Sequence, residues 1–215
     1  MRPTIYYCYD AWCGWCFGFS QVIKKISQEF NSQIYFDVLS GGMIPPEVKK
    51  PIKTTASYIK NAYSQIEELA GVKFGDHYLW HINNPDESDW FPESLTPAKA
   101  MCILKENHPE KAVEFSSALQ QALFVEGRDL SDPEAYRHLL PEFDLDEDHF
   151  FSKLKQEEYT EKARYEFALV KQLQVNGFPC VLMQVSNSKF YLLARGYTSY
   201  PDLKLRIENV LKEIN

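Results

Sequence analysis

The chain has 215 residues, of which 45% are hydrophobic and 25% are charged, and its formal net charge is -7. This balance is typical of a globular protein and excludes a disordered one. Lysine and arginine are scattered, which argues against a nucleic-acid partner. No segment approaches the ~18 apolar residues of a membrane helix, and residues 1–36 lack a basic stretch followed by an apolar run, so we expect a cytoplasmic protein without a membrane partner.

The first elements along the chain predict a β–α–β unit. Residues 4–9, TIYYCY, are β-branched and aromatic, as in a buried strand. After residue 17 the apolar positions recur at helical spacing as far as Phe30, and residues 34–39 predict a second strand. Glycines and prolines between residues 41 and 46 end this unit.

Residues 46–170 predict a block of helices. Thr54 is expected to cap a helix that ends at Gly71, while Thr96 and Asp132, each followed by proline, predict two more helix starts. The remaining helices are expected at residues 108–127, 146–156 and 160–175.

The end of the chain predicts a β-hairpin followed by a helix. The hairpin strands are expected at residues 180–185 and 190–195, and an amphipathic helix from near Pro201 is expected to cover the sheet. The predicted fold is therefore of the α/β class, with the order β–α–β, helical insertion, β–β–α. We expect residues 1–45 and 171–215 to form one domain and residues 46–170 to form an inserted helical domain.

The stretch DAWCGWCFG, residues 10–18, contains the most informative motif. A thiolate is the species that attacks a disulfide, and a helix that starts near Cys13 would direct free backbone N–H groups and the positive end of its dipole at that sulfur. Cys16 lies one turn further along the same face. This spacing predicts that Cys13 attacks and that Cys16 resolves.

A zinc site is the alternative interpretation of the cysteine pair, but tetrahedral zinc usually takes four ligands from two such pairs. The nearest second pair, His77 and His81, has no evident third ligand, so we predict no metal site. Cys8, Cys102 and Cys180 are expected to be packed in the core.

A distant segment, NGFPCVLM at residues 176–183, places Phe178 and Pro179 directly before a predicted strand. Together with CGWC at residues 13–16, it resembles the thioredoxin fold, and the long helical insertion makes the chain similar to the DsbA-like family, in particular its cytoplasmic and FrnE-like branch. The resemblance implies that Pro179 is cis and lies beside the cysteine pair. It also implies that the backbone of Phe178 pairs with an extended substrate.

The chain departs from the family pattern in three places, one of which is Cys180, directly after Pro179. Many relatives have a buried acid six residues before the first cysteine, where it assists proton transfer, and this chain has Tyr7. Asp10 is a candidate for a related role, with helix capping or solvent exposure as the alternatives. Gly14 and Trp15 separate the cysteines without the histidine of strongly oxidising members, so we expect a less oxidising potential.

Aromatic residues surround the cysteine motif. Trp12, Trp15, Phe17 and Phe19 are expected to pack in part and to present an exposed apolar rim, which suits extended clients or an apolar small molecule.

The leading hypothesis is a thiol–disulfide oxidoreductase whose partners are protein clients or small-molecule thiols. We expect no bound cofactor. The first alternative is a glutathione-dependent isomerase or transferase of the kappa class or the 2-hydroxychromene-2-carboxylate isomerase type, with glutathione as a co-substrate. Enzymes of these types have serine at the position of Cys13. The second alternative is a non-catalytic module that binds peptides at the sheet edge near Phe178. The sequence makes no prediction of the client, the direction of electron flow or the oligomeric state.

Overall fold

The computed structural model describes residues 2–214. Within that range four strands form one mixed sheet, in the spatial order β2-β1-β3-β4. Strand β1 pairs in parallel with β2 and antiparallel with β3, and β3 pairs antiparallel with β4. The strands are β1 (Thr4–Tyr9), β2 (Tyr35–Ser40), β3 (Cys180–Gln184) and β4 (Phe190–Arg195).

One helix lies inside the β–α–β unit, six lie in the insertion and one follows the hairpin. The sequence does not predict the helix at residues 76–83, and the helix expected from Asp132 is a 3₁₀ segment. The helices are α1 (Gly14–Phe30), α2 (Ala56–Ala70), α3 (Asp76–Asn83), α4 (Leu95–Asn107), α5 (Ala112–Phe124), α6 (Glu147–Leu154), α7 (Glu157–Gln172) and α8 (Tyr200–Ile214). The insertion also contains four 3₁₀ segments, Pro46–Val48, Ile52–Thr54, Pro109–Lys111 and Pro133–Leu139. The α/β class and the order of elements are therefore confirmed.

Two predicted helix starts are wrong. Thr54 lies in a 3₁₀ turn, where its hydroxyl donates to the carbonyl of Pro51, and α2 begins two residues later without a side-chain cap. Thr96 does not cap α4. Glu93 accepts from the N–H groups of Leu95 at 2.6 Å and of Thr96 at 3.1 Å instead. A carboxylate provides two acceptor oxygens at a helix N-terminus, whereas a threonine hydroxyl provides one.

One core connects the sheet to the inserted helices. Helix α1 packs against α2, α5 and α8, and the same buried cluster contains Ile5 of β1 and Phe124 of α5. The opposite face of the sheet buries a smaller cluster, in which Cys8 and Cys180 lie against Val170 of α7. The division of the chain into two domains, with boundaries at residues 45/46 and 170/171, stays a prediction. Residues 1 and 215, which the prediction includes in the first domain, lie outside the described residues.

A partly buried ion cluster connects β2 to two inserted helices. The ammonium group of Lys105 on α4 lies 2.6 Å from Asp37, 2.8 Å from Glu166 on α7 and 2.9 Å from the carbonyl oxygen of Val38. Glu166 also accepts from the N–H of Ser40 at 2.9 Å. Burial alone would lower the pKa of Lys105, but the two carboxylates more than compensate and raise it. The cluster therefore holds α4, α7 and β2 together.

None of the helices described is both long and apolar enough to span a bilayer.

Candidate functional site

The cysteine motif lies where β1 ends and α1 begins, as predicted. Cys13 is the N-cap residue of α1, with φ -86° and ψ 108°, and its Sγ accepts the N–H of Cys16 at 3.4 Å. The first N–H groups of a helix lack intrahelical partners and carry the positive end of its dipole. The Cys13 sulfur therefore lies where the free N–H groups of the first turn of α1 point.

The two thiols differ in accessibility. Both are free, and Cys16 is completely buried, whereas Cys13 is 7% exposed and forms part of the wall of an open cavity. Burial raises the pKa of the Cys16 thiol well above its ordinary value, and its hydrogen bond with Cys13 adds to the increase. A reagent that enters the cavity therefore meets Cys13 first, while Cys16 remains a protonated thiol behind it.

The peptide bond between Phe178 and Pro179 is cis, in agreement with the resemblance. The Cys13 thiol lies 3.7 Å from the carbonyl oxygen of Phe178, so the loop and the cysteine motif are in contact. The backbone N–H of Phe178 makes no backbone hydrogen bond within the described residues, while the carbonyl of Pro179 accepts from Gly196 at 2.8 Å. The loop is thus anchored on the β4 side and open on the side of Cys13.

The side chain of Phe178 packs directly on Gly41, the residue that follows β2. A Cβ atom at Gly41 would lie 2.1 Å from Cζ of the Phe178 ring, which is far inside van der Waals contact. The sequence indicates only that Gly41 and Gly42 interrupt the β–α–β unit. The need for glycine at residue 41 comes from a ring that is 137 positions away in the chain.

Asp10 connects three segments around the motif. Its carboxylate accepts from the N–H of Trp12 at 3.1 Å, the N–H of Met43 at 2.8 Å and the hydroxyl of Ser94 at 3.1 Å. The expected alternative of solvent exposure is wrong, because Asp10 is buried. Burial raises its pKa and the three hydrogen bonds oppose that increase. Asp10 therefore orders the cysteine loop, the loop after β2 and the start of α4.

Tyr7 occupies the position at which many relatives carry an acid. Its side chain is fully buried, and its hydroxyl has no hydrogen-bond partner among residues 2–214. Burial, followed by the proximity of Cys16 and Cys13, raises the pKa of Tyr7 well above its ordinary value. A neutral phenol donates a hydrogen bond to a thiolate, but it does not accept a proton as a carboxylate does.

The prediction of an exposed aromatic rim is wrong for three of its four residues. Trp12, Phe17 and Phe19 are buried, and Trp15 is half-buried. Helices of the insertion cover this face, since the ring of Phe17 lies 5.2 Å from that of Phe124. The indole N–H of Trp12 donates to the carbonyl of Glu93 at 2.8 Å, which satisfies its buried polar atom.

The exposed apolar residues at the site lie outside the cysteine motif of residues 10–18. Met43 is 44% exposed and Tyr58 is 65% exposed, and both line a cavity of about 340 Å³ beside Cys13. None of the residues that line this cavity is an acid, a lysine, an arginine or a histidine. The insertion contributes most of its wall, including Ile52, Thr55, Ile59, Ala62, Tyr63 and Ile66.

The other candidate ligands lie apart from this site. The ring of His81 stacks on Trp90 with 3.9 Å between centroids, its Nδ1 lies 2.8 Å from the hydroxyl of Ser88, and burial lowers its pKa. No group of three metal-ligating side chains occurs among the described residues. Cys8 and Cys180 are buried cross-strand neighbours, and burial raises the pKa of Cys8 to about 12. Cys102 is also buried, as expected.

Comparisons with known proteins identify a family and several solved structures of the same fold. A family model for the DSBA-like thioredoxin domain matches residues 4–208. The structure is similar to that of a candidate protein disulfide isomerase from Nitrosomonas europaea, with a TM-score of 0.85, 22% identity and full coverage of both chains. A comparison with curated protein sequences returned no significant match.

Two further solved structures have the same fold. The cytosolic disulfide reductase DsbM from Pseudomonas aeruginosa gives a TM-score of 0.79 and 24% identity, over 98% of this chain and 99% of that one. A 2-hydroxychromene-2-carboxylate isomerase gives a TM-score of 0.63 and 13% identity, over 98% and 95% of the two chains. At these identities the similarity establishes the fold.

Proposed function

The chain belongs to the family of DSBA-like thioredoxin domains, and on that premise we propose that it is a thiol–disulfide oxidoreductase in which Cys13 attacks and Cys16 resolves. One observation carries the proposal. The N-cap sulfur of Cys13 lies 3.7 Å from the open Phe178 carbonyl, with the buried thiol of Cys16 directly behind it. The proposal requires a nucleophile, a resolving thiol and a backbone edge for the substrate close together, and this arrangement supports it.

The reaction proceeds by two exchanges. The Cys13 thiolate attacks one sulfur of a client disulfide, the client S–S bond breaks, and the released client thiolate takes up a proton. Cys16 loses its proton and attacks Cys13, so the Cys13–Cys16 bond forms as the bond between Cys13 and the client breaks. The client gains two electrons and two protons, and the cysteine pair is oxidised by the same amount.

The backbone of Phe178 supplies the affinity for extended substrates. Its unpaired N–H and its carbonyl lie beside Cys13, so a client segment can add alongside them as a short strand. Backbone hydrogen bonds of this kind tolerate many sequences, while neighbouring pockets set preferences.

We propose that the protein reduces client disulfides, and that it does so in the cytoplasm. Gly14 and Trp15 provide no positive charge between the cysteines, so the N-terminus of α1 is the one positive feature that the motif itself offers the sulfur. The fold shared with a cytosolic disulfide reductase is consistent with this direction. A midpoint potential closer to about -270 mV than to about -120 mV in glutathione buffers supports it, and the reverse result identifies an oxidase.

A glutathione-dependent isomerase or transferase fits the site less well. Such chemistry needs one protein group to position the glutathione thiol and gives no role to a second cysteine. Cys16 is completely buried behind Cys13. A module that only binds peptides needs neither thiol.

Three single substitutions test the assignment. With the reduced protein and a small protein disulfide as client, Cys13→Ser is expected to abolish exchange, and Cys16→Ser is expected to accumulate a mixed disulfide, visible as an adduct by mass spectrometry. Cys102→Ser is the control, since Cys102 is a buried thiol outside the site. Full exchange by Cys13→Ser would contradict the proposal, as would adducts that form equally at Cys102.

A further inference from the structure

We propose that the cavity beside Cys13 selects substrates in which an uncharged apolar group, typically a ring, lies next to the reacting sulfur, and that Tyr78 hydrogen-bonds one polar atom of that group. This inference rests on the proposed function, because it names the substrate class of the same site.

The lining of the cavity requires an uncharged occupant. Its volume of about 340 Å³ lies at the lower end of the ~300–1,000 Å³ range of small-molecule sites. A carboxylate or ammonium group that entered it would lose its hydration and find no charged partner among the lining residues. The charged ends of glutathione therefore stay outside, whereas an aromatic or aliphatic group gains by leaving water.

The position of the cavity links it to the reacting sulfur. Cys13, Gly14 and Trp15 form one wall, and Phe74 and Tyr78 form part of another. A group attached to a sulfur that bonds to Cys13 therefore has this cavity as its nearest enclosed volume. Exposed Tyr58 and Met43 extend the apolar surface to the entrance.

Tyr78 carries a hydroxyl that makes no hydrogen bond with residues 2–214 and is not completely buried. Tyr78 is only 3% exposed and lines the cavity. Burial raises its pKa, and no hydrogen bond contributes to that shift. Its ring is fixed against Phe124, at 5.0 Å, and Phe74, at 5.8 Å. A ligand acceptor that reaches this hydroxyl forms a hydrogen bond inside an otherwise apolar cavity, which favours a ligand with one polar atom at that point.

Two isosteric probes test the contact with Tyr78. Dithiodipyridine and diphenyl disulfide are uncharged aromatic disulfides that differ in a ring nitrogen, which is a hydrogen-bond acceptor. In single turnovers the reduced protein supplies the two electrons, so each probe is cleaved to two thiols while the Cys13–Cys16 bond forms. Comparing each variant with the unmodified protein for one probe cancels the difference in intrinsic reactivity between the probes.

Tyr78→Phe is expected to lower the second-order rate with dithiodipyridine by about three- to tenfold, the range of one net hydrogen bond. The rate with diphenyl disulfide should change by less than about twofold. Tyr136→Phe removes a buried hydroxyl that bonds to Leu130 outside the cavity, and it serves as the control for lost stability. Equal losses for both probes in Tyr78→Phe would overturn the assignment of Tyr78.

A second pair of variants tests the cavity. Ala62→Trp fills it, while Leu69→Trp adds the same side chain at an exposed position of the same helix that does not line it. Ala62→Trp is expected to slow both aromatic probes about tenfold or more and to leave glutathione disulfide nearly unchanged, because the charged tripeptide reacts from outside. Unchanged aromatic rates, or equal slowing of all three disulfides, would overturn the cavity assignment.

The source of the apolar group is decided by a third comparison. Disulfide-linked peptides with tyrosine or alanine next to cysteine are assayed with the unmodified protein and Ala62→Trp. A tyrosine preference that Ala62→Trp removes identifies a protein side chain as the occupant, and no preference identifies a small-molecule thiol. Failure of the proposed function itself has a different signature, since no disulfide would then react in a Cys13-dependent way.

Discussion

Replacing Gly41 by alanine is expected to impair exchange through Phe178. The added Cβ would lie 2.1, 2.4 and 2.7 Å from Cζ, Cε1 and Cε2 of the Phe178 ring. Ordinary contact begins at 3.4 Å, so the ring has to move by about 1.3 Å, and overpacking of this kind costs about 1–3 kcal/mol of folding free energy. The Phe178 carbonyl lies 3.7 Å from Cys13 Sγ and moves with the ring.

The functional loss should exceed the loss of stability. A misplacement of about 1 Å at a reacting centre costs up to about 100-fold in rate, so we expect Gly41→Ala to slow attack on a peptide disulfide by about ten- to 100-fold. Stopped-flow measurement of the Trp12 and Trp15 fluorescence follows the reaction, and urea unfolding measures stability in parallel. Gly177→Ala is the matched control, since a Cβ there meets no atom within 4 Å in the same loop.

A rescue experiment separates this mechanism from general damage. Phe178→Leu lacks the three ring atoms that a Cβ at residue 41 would strike, so combining it with Gly41→Ala should recover most of the lost rate, with a coupling energy of about 0.5–3 kcal/mol. Wild-type rates in Gly41→Ala, or a double variant no faster than Gly41→Ala alone, would refute the reasoning.

Three more predictions concern charge and protonation. Lys105→Met leaves the buried carboxylate of Glu166 unpaired and should lower the free energy of unfolding in urea by about 3–5 kcal/mol, whereas Lys153→Met, which breaks a partly exposed pair, should cost less than about 1 kcal/mol. Tyr7→Phe removes a buried hydroxyl near Cys16 that can donate to the Cys16 sulfur once the thiol has lost its proton, so the pH profile of the resolving step should move to higher pH while the attack by Cys13 is unchanged; an unmoved profile would contradict this. Hydrogen bonds from Lys153, Tyr159 and Lys162 lower the pKa of Glu106 to about 2, so its contribution to the free energy of unfolding is present above the unfolded pKa of about 4.3 and should disappear as pH falls through 2. Glu106→Gln should lower the free energy of unfolding by no more than about 1 kcal/mol, because solvent screens the network. A stability difference between this variant and the unmodified protein that does not shrink between pH 5 and 2 would refute the prediction.

Local patterns in the sequence predict the framework of this protein. Strand β1 is predicted at its observed bounds, and the start of α1 at Cys13 follows from the helical spacing of apolar residues after the motif. The hairpin is predicted to within one residue, because its turn residues separate two short apolar runs. Each of these features depends on interactions between neighbours in the chain.

The helix caps of the insertion are less predictable from sequence. Thr96 has the residue type of a cap, but Glu93 satisfies the N–H groups at the start of α4. The choice between these residues depends on where the chain enters the helix, and packing of the preceding loop decides that direction.

The sequence by itself determines the candidate cysteine pair, because a helix capped by Cys13 needs only a local pattern to form and places both thiols on one face. Tertiary structure alone decides what surrounds that pair. Asp10 meets Ser94, Gly41 meets Phe178, and Tyr78 lines a cavity with Cys13, although these partners are separated by tens of residues or more in the chain. The roles of the Asp10 carboxylate, the missing Cβ of Gly41 and the Tyr78 hydroxyl depend on the atoms that lie next to them, and folding alone brings those atoms into place.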